Sequence, residues 1–310
     1  MFRPISTLNL PSATVAELKK KGYVYVEDIL NSQDLTTFNI NKSEIEKQLR
    51  VPEVLALDVW QNSVQRESIS ICCPDLEAIL GNGFQCGVIT ELSGSTFSGK
   101  TQICIQLSIA VQLSKSYGGL DGRCIYIDTR NGINILRFKD IIQGYNIYYK
   151  DLHLHEDEAY KNIQVFSPRS LEEFLKIINS LDDELKKIKN NKQVRLVIID
   201  SLSMPILCSI DDSLKRPYYY SQILYQLHKL TVDHNIAIVI TNELVMQADK
   251  DGNSYFTAAG GQYVADYAYI KLELTRLTNN KFATRLIKSP IMPEMSITFM
   301  ITQDGIRNVS

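Results

Sequence analysis

The spacing of hydrophobic and polar positions changes along the chain and divides it into three parts. Over residues 12–50, apolar residues such as Val15 and Leu18 recur at helical intervals, and Gly22 after three lysines is typical of a helix stop. This pattern predicts a small helical domain over residues 1–50. Residues 51–70 become polar after Trp60 and predict a linker, which leaves residues 71–310 for a larger domain.

Within the larger domain, short apolar runs alternate with helical segments. Strands are predicted over residues 87–92, 124–128, 163–166, 196–200 and 236–241, and helices over residues 101–113, 171–188 and 219–233. Such alternation is typical of a parallel sheet with helices on both faces. Runs at 267–275, 282–288 and 296–302 are joined by turn signals and predict antiparallel C-terminal strands. The predicted fold class is therefore α/β with a mostly parallel sheet.

A glycine-rich loop separates the first of these strands from the first helix. Residues 94–101 read G-S-T-F-S-G-K-T and satisfy the P-loop pattern G-x-x-x-x-G-K-[ST]. Glycines let backbone N–H groups converge on phosphate, the lysine reaches the β- and γ-phosphates, and the threonine holds Mg²⁺. The pattern predicts ATP and Mg²⁺ as cofactors. The predicted nucleotide-binding residues are Gly94, Ser95, Thr96, Phe97, Ser98, Gly99, Lys100, Thr101 and Gln102.

A second motif lies about a hundred residues further on. Residues 195–201 form an apolar strand that ends in Asp200, at the carboxyl edge where α/β sheets bind ligands. A lone aspartate after a strand is often only a helix cap, but the P-loop upstream favours a role in binding metal. Thr101 and Asp200 are therefore the predicted Mg²⁺ residues.

Charge and composition narrow the choice of partner and compartment. The 33 basic and 35 acidic residues give a net charge of −2, so any nucleic-acid binding must come from local patches. The first residues, 1–6, lack a basic-then-apolar signal region, and no apolar run approaches the roughly 20 residues of a membrane helix, so we expect an intracellular protein without a membrane partner. The six cysteines lack a C-x-x-C spacing and are expected to be reduced thiols.

The order and spacing of these motifs resemble the RecA/RadA strand-exchange recombinases over nearly the whole chain. Besides the P-loop and Asp200, the resemblance rests on the segments at residues 87–92, 126–129, 239–242 and 289–294. It implies a RecA-like P-loop NTPase core behind a small N-terminal domain. Among the eukaryotic recombinase paralogues the chain is most similar to the C type, through residues 56–58, 117–119, 194–200 and 288–290, with the D type as the alternative.

Three positions depart from the pattern that the resemblance implies. Arg130 stands where recombinases carry the glutamate that positions the attacking water, and Glu243 stands where they carry a glutamine that senses the γ-phosphate. Glu243 also offers Arg130 an ion-pair partner across the pocket. The usual Phe-x-x-Ala self-assembly hook reads E-V-L-A at residues 53–56. No catalytic residue is therefore assigned, and weak or absent ATPase activity is expected.

The resemblance places DNA contacts in two loops, at about residues 210–220 and 248–262. Lys215, Arg216 and Lys250 are the candidate DNA-binding residues. The tyrosines at 218–220 adjoin the first loop, and cations beside aromatic rings suit single-stranded DNA. The alternative is that Tyr219 and Tyr220 begin the next helix and pack inside.

The sequence thus favours a mediator of homologous recombination and DNA double-strand break repair. As a nuclear protein with a role in meiosis, it would assemble with other recombinase paralogues and help load or stabilise the main recombinase filament on single-stranded DNA. Two alternatives stay open: a DNA-dependent ATPase that itself performs strand exchange, and a P-loop kinase or transferase without a nucleic-acid partner.

Overall fold

The computed structural model describes residues 5, 8, 10, 12–30, 32, 45, 55–189, 192–248, 252–278 and 280–309. The chain forms two compact units, Met1–Gln65 and Arg66–Ser310. The division falls inside the segment predicted as a linker, residues 51–70. Glu53 and Val54, two of the four residues at the position of the self-assembly hook, and Lys250 lie outside the described residues.

The first unit is helical where it is described. Its helices are α1 (Ser12–Lys20), α2 (Val26–Leu30) and α3 (Ala56–Val64). A small apolar cluster is formed by Ile5, Leu8, Leu18, Val26, Ile29 and Ile45. Helix α3 occupies the predicted linker, and its Leu57, Trp60 and Val64 side chains are exposed.

The second unit is built on a large sheet. Its strands are β1 (Ser68–Ile69), β2 (Phe84–Gln85), β3 (Ile89–Gly94), β4 (Arg123–Asp128), β5 (Ile163–Phe166), β6 (Val194–Asp200), β7 (Ala237–Ala248), β8 (Ser254–Ala258), β9 (Ile270–Arg276), β10 (Lys281–Lys288), β11 (Ser296–Thr302) and β12 (Gly305–Asn308). Strands β1 and β2 pair separately. The main sheet has the order β12-β11-β10-β9-β3-β7-β6-β4-β5, with β8 paired to β7.

The sheet confirms the predicted α/β class. Neighbouring strands from β9 through β3, β7, β6 and β4 to β5 run parallel, and β10, β11 and β12 extend the sheet antiparallel. One predicted detail is wrong: the run at 267–275, expected among the antiparallel strands, gives β9, which is parallel to β3. After β7 the chain reverses in β8, which is antiparallel to β7, and passes through one short helix, Gly261–Tyr267, before β9 enters the sheet in the direction of β3.

Helices cover both faces of the sheet. They are α4 (Pro74–Ile79), α5 (Lys100–Ala110), α6 (Ile135–Tyr148), α7 (Glu156–Lys161), α8 (Leu171–Leu185), α9 (Ser203–Ser209), α10 (Arg216–His234) and α11 (Gly261–Tyr267). Alternate strand residues serve opposite faces: Tyr126 belongs to the core beneath α5 and α6, whereas Ile125 and Ile127 belong to the core beneath α8 and α10. This double burial explains why the strands are apolar at nearly every position.

None of the helices in the described part of the chain is both long and apolar enough to cross a membrane. All cysteines are free thiols; Cys208 is exposed and the other five are buried.

Candidate nucleotide-binding site

The P-loop lies at the carboxyl edge of the sheet, between the end of β3 and the start of α5. Gly94 and Gly99 have φ angles of +154° and +97°, which only glycine adopts easily. A Cβ atom on Gly94 would lie 2.4 Å from the Leu274 carbonyl oxygen and 2.6 Å from the Ser98 hydroxyl. The two glycines therefore allow the loop to curl tightly against the sheet, with the N-terminus of α5 directed at the space above it.

Lys100 is buried at the base of this loop. Its Nζ donates hydrogen bonds to the carbonyl oxygens of Gly94 at 2.7 Å and Ser95 at 2.9 Å, and lies 3.7 Å from Glu243 Oε2. Burial lowers the pKa of Lys100, and the Glu243 carboxylate opposes that shift. The ammonium is thus held beneath the loop, in the position from which a P-loop lysine reaches phosphate.

Thr101 and Asp200 come together as the predicted cation-binding pair. The Thr101 hydroxyl donates to Asp200 Oδ2 at 2.7 Å, and the other carboxylate oxygen accepts from the Thr241 hydroxyl at 2.6 Å. The Tyr126 hydroxyl also donates to Asp200 Oδ2, at 3.0 Å. Burial, followed by the nearby Asp200 charge, raises the pKa of Tyr126, so its hydroxyl remains a donor. Three hydroxyl donors thus orient a buried carboxylate beside the P-loop.

Arg130 and Glu243 face one another at the same edge. After β4 the chain turns around Asp128, whose carboxylate accepts from the backbone N–H groups of Arg130 at 3.1 Å and Ile133 at 3.0 Å. Arg130 Nη1 donates to Glu243 Oε1 at 2.7 Å. The ion pair expected from the sequence is therefore present, and it joins the segment that follows β4 to the middle of β7.

A cavity of about 500 Å³ opens above the loop. The predicted residues that line it are Thr96, Phe97, Ser98, Gly99, Lys100, Thr101, Gln102, Arg130 and Asp200. Gly94 and Ser95 lie at its base and contribute the carbonyl groups that hold Lys100. Asp128, Gly132, Arg276, Phe282 and Ile301 also line it and were not predicted as binding residues. The last three come from the C-terminal strands β9, β10 and β11 and had no motif, whereas Asp128 ends β4 inside a segment that carried the family resemblance.

The residues of this cavity fit a nucleotide with a hard divalent cation. The buried Ser98 hydroxyl has no hydrogen-bond partner, and the Gly94 cradle leaves no room for a side chain. Thr101 and Asp200 supply the oxygen ligands that Mg²⁺ prefers, and Lys100 supplies a cation for phosphate. Gln102 lies at the rim, where its side-chain oxygen accepts from Arg137 Nε at 2.6 Å.

Fold and loop together define a P-loop protein of the RecA type. The Rad51 family model matches residues 64–309. The chain is 30% identical over 261 residues to the DNA repair and recombination protein RadA of Aeropyrum pernix. The aligned region covers 82% of this chain and 77% of the relative. It is 27% identical over 309 residues to the protein of the same name from Metallosphaera sedula, and here the aligned region covers 96% of this chain and 92% of the relative. The chain therefore belongs to the Rad51 family, and the predicted recombinase family is confirmed.

The two predicted DNA loops lie side by side. Lys215 is exposed, with its Nζ 3.6 Å from Asp212, whereas Arg216 opens α10 and donates from Nε to the Ile210 carbonyl at 2.8 Å. A cavity of about 360 Å³ is lined by residues of both loops. Tyr220 is buried, so the alternative that it packs inside holds for that residue, while Tyr218 is exposed.

The described part of the second predicted loop contains a strand, β8, rather than irregular chain alone. Strand β7 continues to Ala248 and pairs with β8, which places Met246 opposite Phe256. Both side chains are exposed. The apolar run at residues 244–246 gave a signal for this extension, but the partner strand β8 is short and polar at its start, so the pairing was missed.

Proposed function

We propose that this protein is an ATP-binding recombinase paralogue, closest to the C type and with the D type as the alternative, that acts in homologous recombination and DNA double-strand break repair. It assembles with other paralogues and helps load or stabilise the main recombinase filament on single-stranded DNA. The proposal includes a nuclear location and a role in meiosis. The observation that carries it is a complete phosphate loop beside an Arg130–Glu243 ion pair.

The nucleotide would be held by the loop at residues 94–102, and Mg²⁺ by Thr101 and Asp200. When bound, the cation neutralises part of the phosphate charge. On the protein side, the loop amides and Lys100 bind the phosphates, while Thr241 and Tyr126 orient the Asp200 carboxylate. The presence of these groups in one cavity supports the proposal that the site binds nucleotide.

Hydrolysis needs a further group that positions and deprotonates water. Arg130 occupies the position predicted for that group, and a guanidinium cannot accept a proton at physiological pH. Its side chain is also committed to Glu243 at 2.7 Å. A subunit that binds ATP and barely hydrolyses it is suited to holding an assembly together, because the nucleotide then persists at the boundary where it is bound.

A second candidate function is a strand-exchange ATPase in its own right. Both relatives carry the name DNA repair and recombination protein RadA, which favours a recombinase. The two candidates differ in whether the pure chain forms filaments and turns over ATP. The Rad51 family match gives no support to the kinase or transferase alternative.

The decisive experiment has two arms. Phosphate release by the purified chain is measured with and without single-stranded DNA, and the tagged chain is copurified from its own cells so that its partners are identified. Turnover near background together with recovery of sister paralogues supports the mediator. DNA-stimulated turnover with filaments of the pure chain establishes the strand-exchange ATPase instead.

A further inference from the structure

Glu243 places a negative charge beside the ammonium of the P-loop. Its Oε2 lies 3.7 Å from Lys100 Nζ, while its Oε1 accepts from Arg130 Nη1 at 2.7 Å. The Glu243 side chain is only 13% exposed, so solvent ions screen its charge poorly. The three side chains form a row in which one carboxylate is shared by two cations.

The backbone of Glu243 is fixed in that position. In the parallel pairing of β3 and β7, Glu243 is the partner of Gly94, the first residue of the P-loop. Its N–H donates to the Ser203 hydroxyl at 3.2 Å, and its carbonyl accepts from the Ala259 N–H at 2.9 Å. A shift of this part of β7 would therefore break backbone contacts on both sides of Glu243.

The charge of Glu243 acts on one part of a nucleotide more than on the rest. In a P-loop, the loop amides cradle the inner phosphates, whereas the lysine extends to the β- and γ-phosphates. The additional negative charge of a triphosphate would therefore share the Lys100 ammonium with the Glu243 carboxylate. If Arg130 turned toward that phosphate instead, Glu243 would lose the cation that it contacts at 2.7 Å. Either arrangement disfavours the third phosphate.

We propose, on the basis of the nucleotide binding proposed above, that Glu243 is a specificity-determining residue that makes this site bind a nucleoside diphosphate more tightly than the matching triphosphate. Repulsion between two unit charges within one partly buried site is strong enough to change a binding constant about ten-fold or more. We expect a preference of at least about ten-fold for ADP over a non-hydrolysable ATP analogue.

The test is calorimetric titration of the full chain with ADP and with that analogue, at a fixed free Mg²⁺ concentration. Glu243→Gln removes the charge with little change in shape, and should bring the two affinities together or reverse their order. Arg130→Ala leaves Glu243 without its nearest cation and should widen the preference for ADP. In the double variant Arg130→Ala with Glu243→Gln, the loss of Arg130 should no longer widen the preference for ADP, because the Glu243 charge is absent. Glu184→Gln, which removes a carboxylate paired with Lys187 on the surface, is the matched control.

The possible results separate this inference from the nucleotide-binding proposal. Equal affinities in the wild-type chain, or an unchanged ratio in Glu243→Gln, overturn the inference and leave nucleotide binding standing. Failure of the folded wild-type chain to bind either nucleotide overturns both. Should Glu243→Gln not fold, Arg130→Ala serves as the test. This variant is expected to fold, because Arg130 is partly exposed and its removal creates no core cavity. A wider preference for ADP in Arg130→Ala then supports the inference, and an unchanged preference overturns it.

Discussion

Arg130 and Glu243 form a 2.7 Å ion pair that joins the segment after β4 to the middle of β7, although these two strands are not adjacent in the sheet. Strand β6 lies between them and ends in Asp200. The pair therefore spans the carboxylate predicted to bind Mg²⁺. Arg130 is also the residue that stands where the family resemblance implies a water-positioning glutamate. Its effect on the chemistry can be tested directly.

The first prediction is that ATP turnover by the purified chain is close to background. Loss of a positioned base typically costs on the order of 10² to 10⁴ in rate, or about 3 to 5 kcal/mol of barrier. Binding should suffer far less, because Lys100, Thr101 and the loop amides remain. Steady-state phosphate release, with and without single-stranded DNA, is the measurement.

The variant that tests the cause is Arg130→Glu combined with Glu243→Gln. Arg130→Glu alone need not restore turnover, since two carboxylates would then face each other where the ion pair now lies. The double variant supplies a carboxylate and removes the competing charge. A rise in turnover confined to the double variant supports the account of the site; wild-type turnover at the pace of a working recombinase contradicts it.

Much of the site could be predicted because its signals are local in sequence. The P-loop requires glycine at set positions for reasons of backbone geometry, and Asp200 follows a run whose residues are buried on both faces. The relation between Arg130 and Glu243, 113 residues apart, became visible only through the resemblance to a family in which both positions carry other residues.

Other features gave no local signal. Helix α6 contains Gly144, which weakens a helical pattern, yet a Cβ there would lie 2.1 Å from the Asp304 carbonyl oxygen, so the glycine serves a close backbone approach. Glu91 interrupts the apolar strand β3, but it is fully buried and paired with Lys271 at 3.1 Å and with the Asn242 amide at 2.8 Å. Such contacts depend on which strands become neighbours, and no short stretch of sequence contains that information.

The second prediction concerns Lys100. Lys100→Ala should weaken nucleotide binding by about 10- to 150-fold, which corresponds to about 1.5 to 3 kcal/mol for the loss of a hydrogen bond to a charged group. If the nucleotide lies at a subunit boundary, the association with the partner that covers it should weaken as well. Titration with nucleotide and a pull-down of the partner are measured together, with Lys187→Ala as the surface control. Unchanged nucleotide affinity would refute the P-loop assignment, whereas an unchanged pull-down would refute only the boundary role.

The third prediction concerns stability and pH. Hydrogen bonds from Lys115, and then from Arg195, hold the pKa of Glu67 below its usual value of 4.5. Because the folded pKa is the lower one, the contribution of Glu67 is fully present above about pH 4.5 and is lost as the pH falls through the folded pKa.

Glu67→Gln should therefore lower the free energy of unfolding by about 1 to 2 kcal/mol at pH 7, partly because Arg195 loses its carboxylate partner. The difference from wild type should shrink as the solution is acidified below pH 4.5. Denaturant titrations at several pH values provide the measurement. Glu294→Gln, which breaks an exposed pair with Arg285, should cost less than about 1 kcal/mol at every pH. A Glu67→Gln cost that does not change with pH would show that the charge is not its origin.

The last prediction concerns single-stranded DNA. With a net charge of −2 the isolated chain should bind it weakly, and the binding that exists should depend on Lys215 and Arg216. Loss of one phosphate contact flattens the log–log salt dependence of a single-strand complex by about 0.7, so the slope of the double alanine variant should be smaller by up to about 1.4.

Arg216 also donates to the Ile210 carbonyl and so helps shape the loop, whereas Lys215 is mostly exposed. Lys215→Ala alone is therefore the cleaner probe, with an expected loss of about 0.7 and no change in stability. Lys229→Ala, on the same helix about 20 Å further along, is the matched control and should leave the slope unchanged. Binding measured by fluorescence anisotropy from low to moderate salt gives both affinity and slope. If the double variant binds with the wild-type affinity and slope, the DNA contacts lie elsewhere than in this loop.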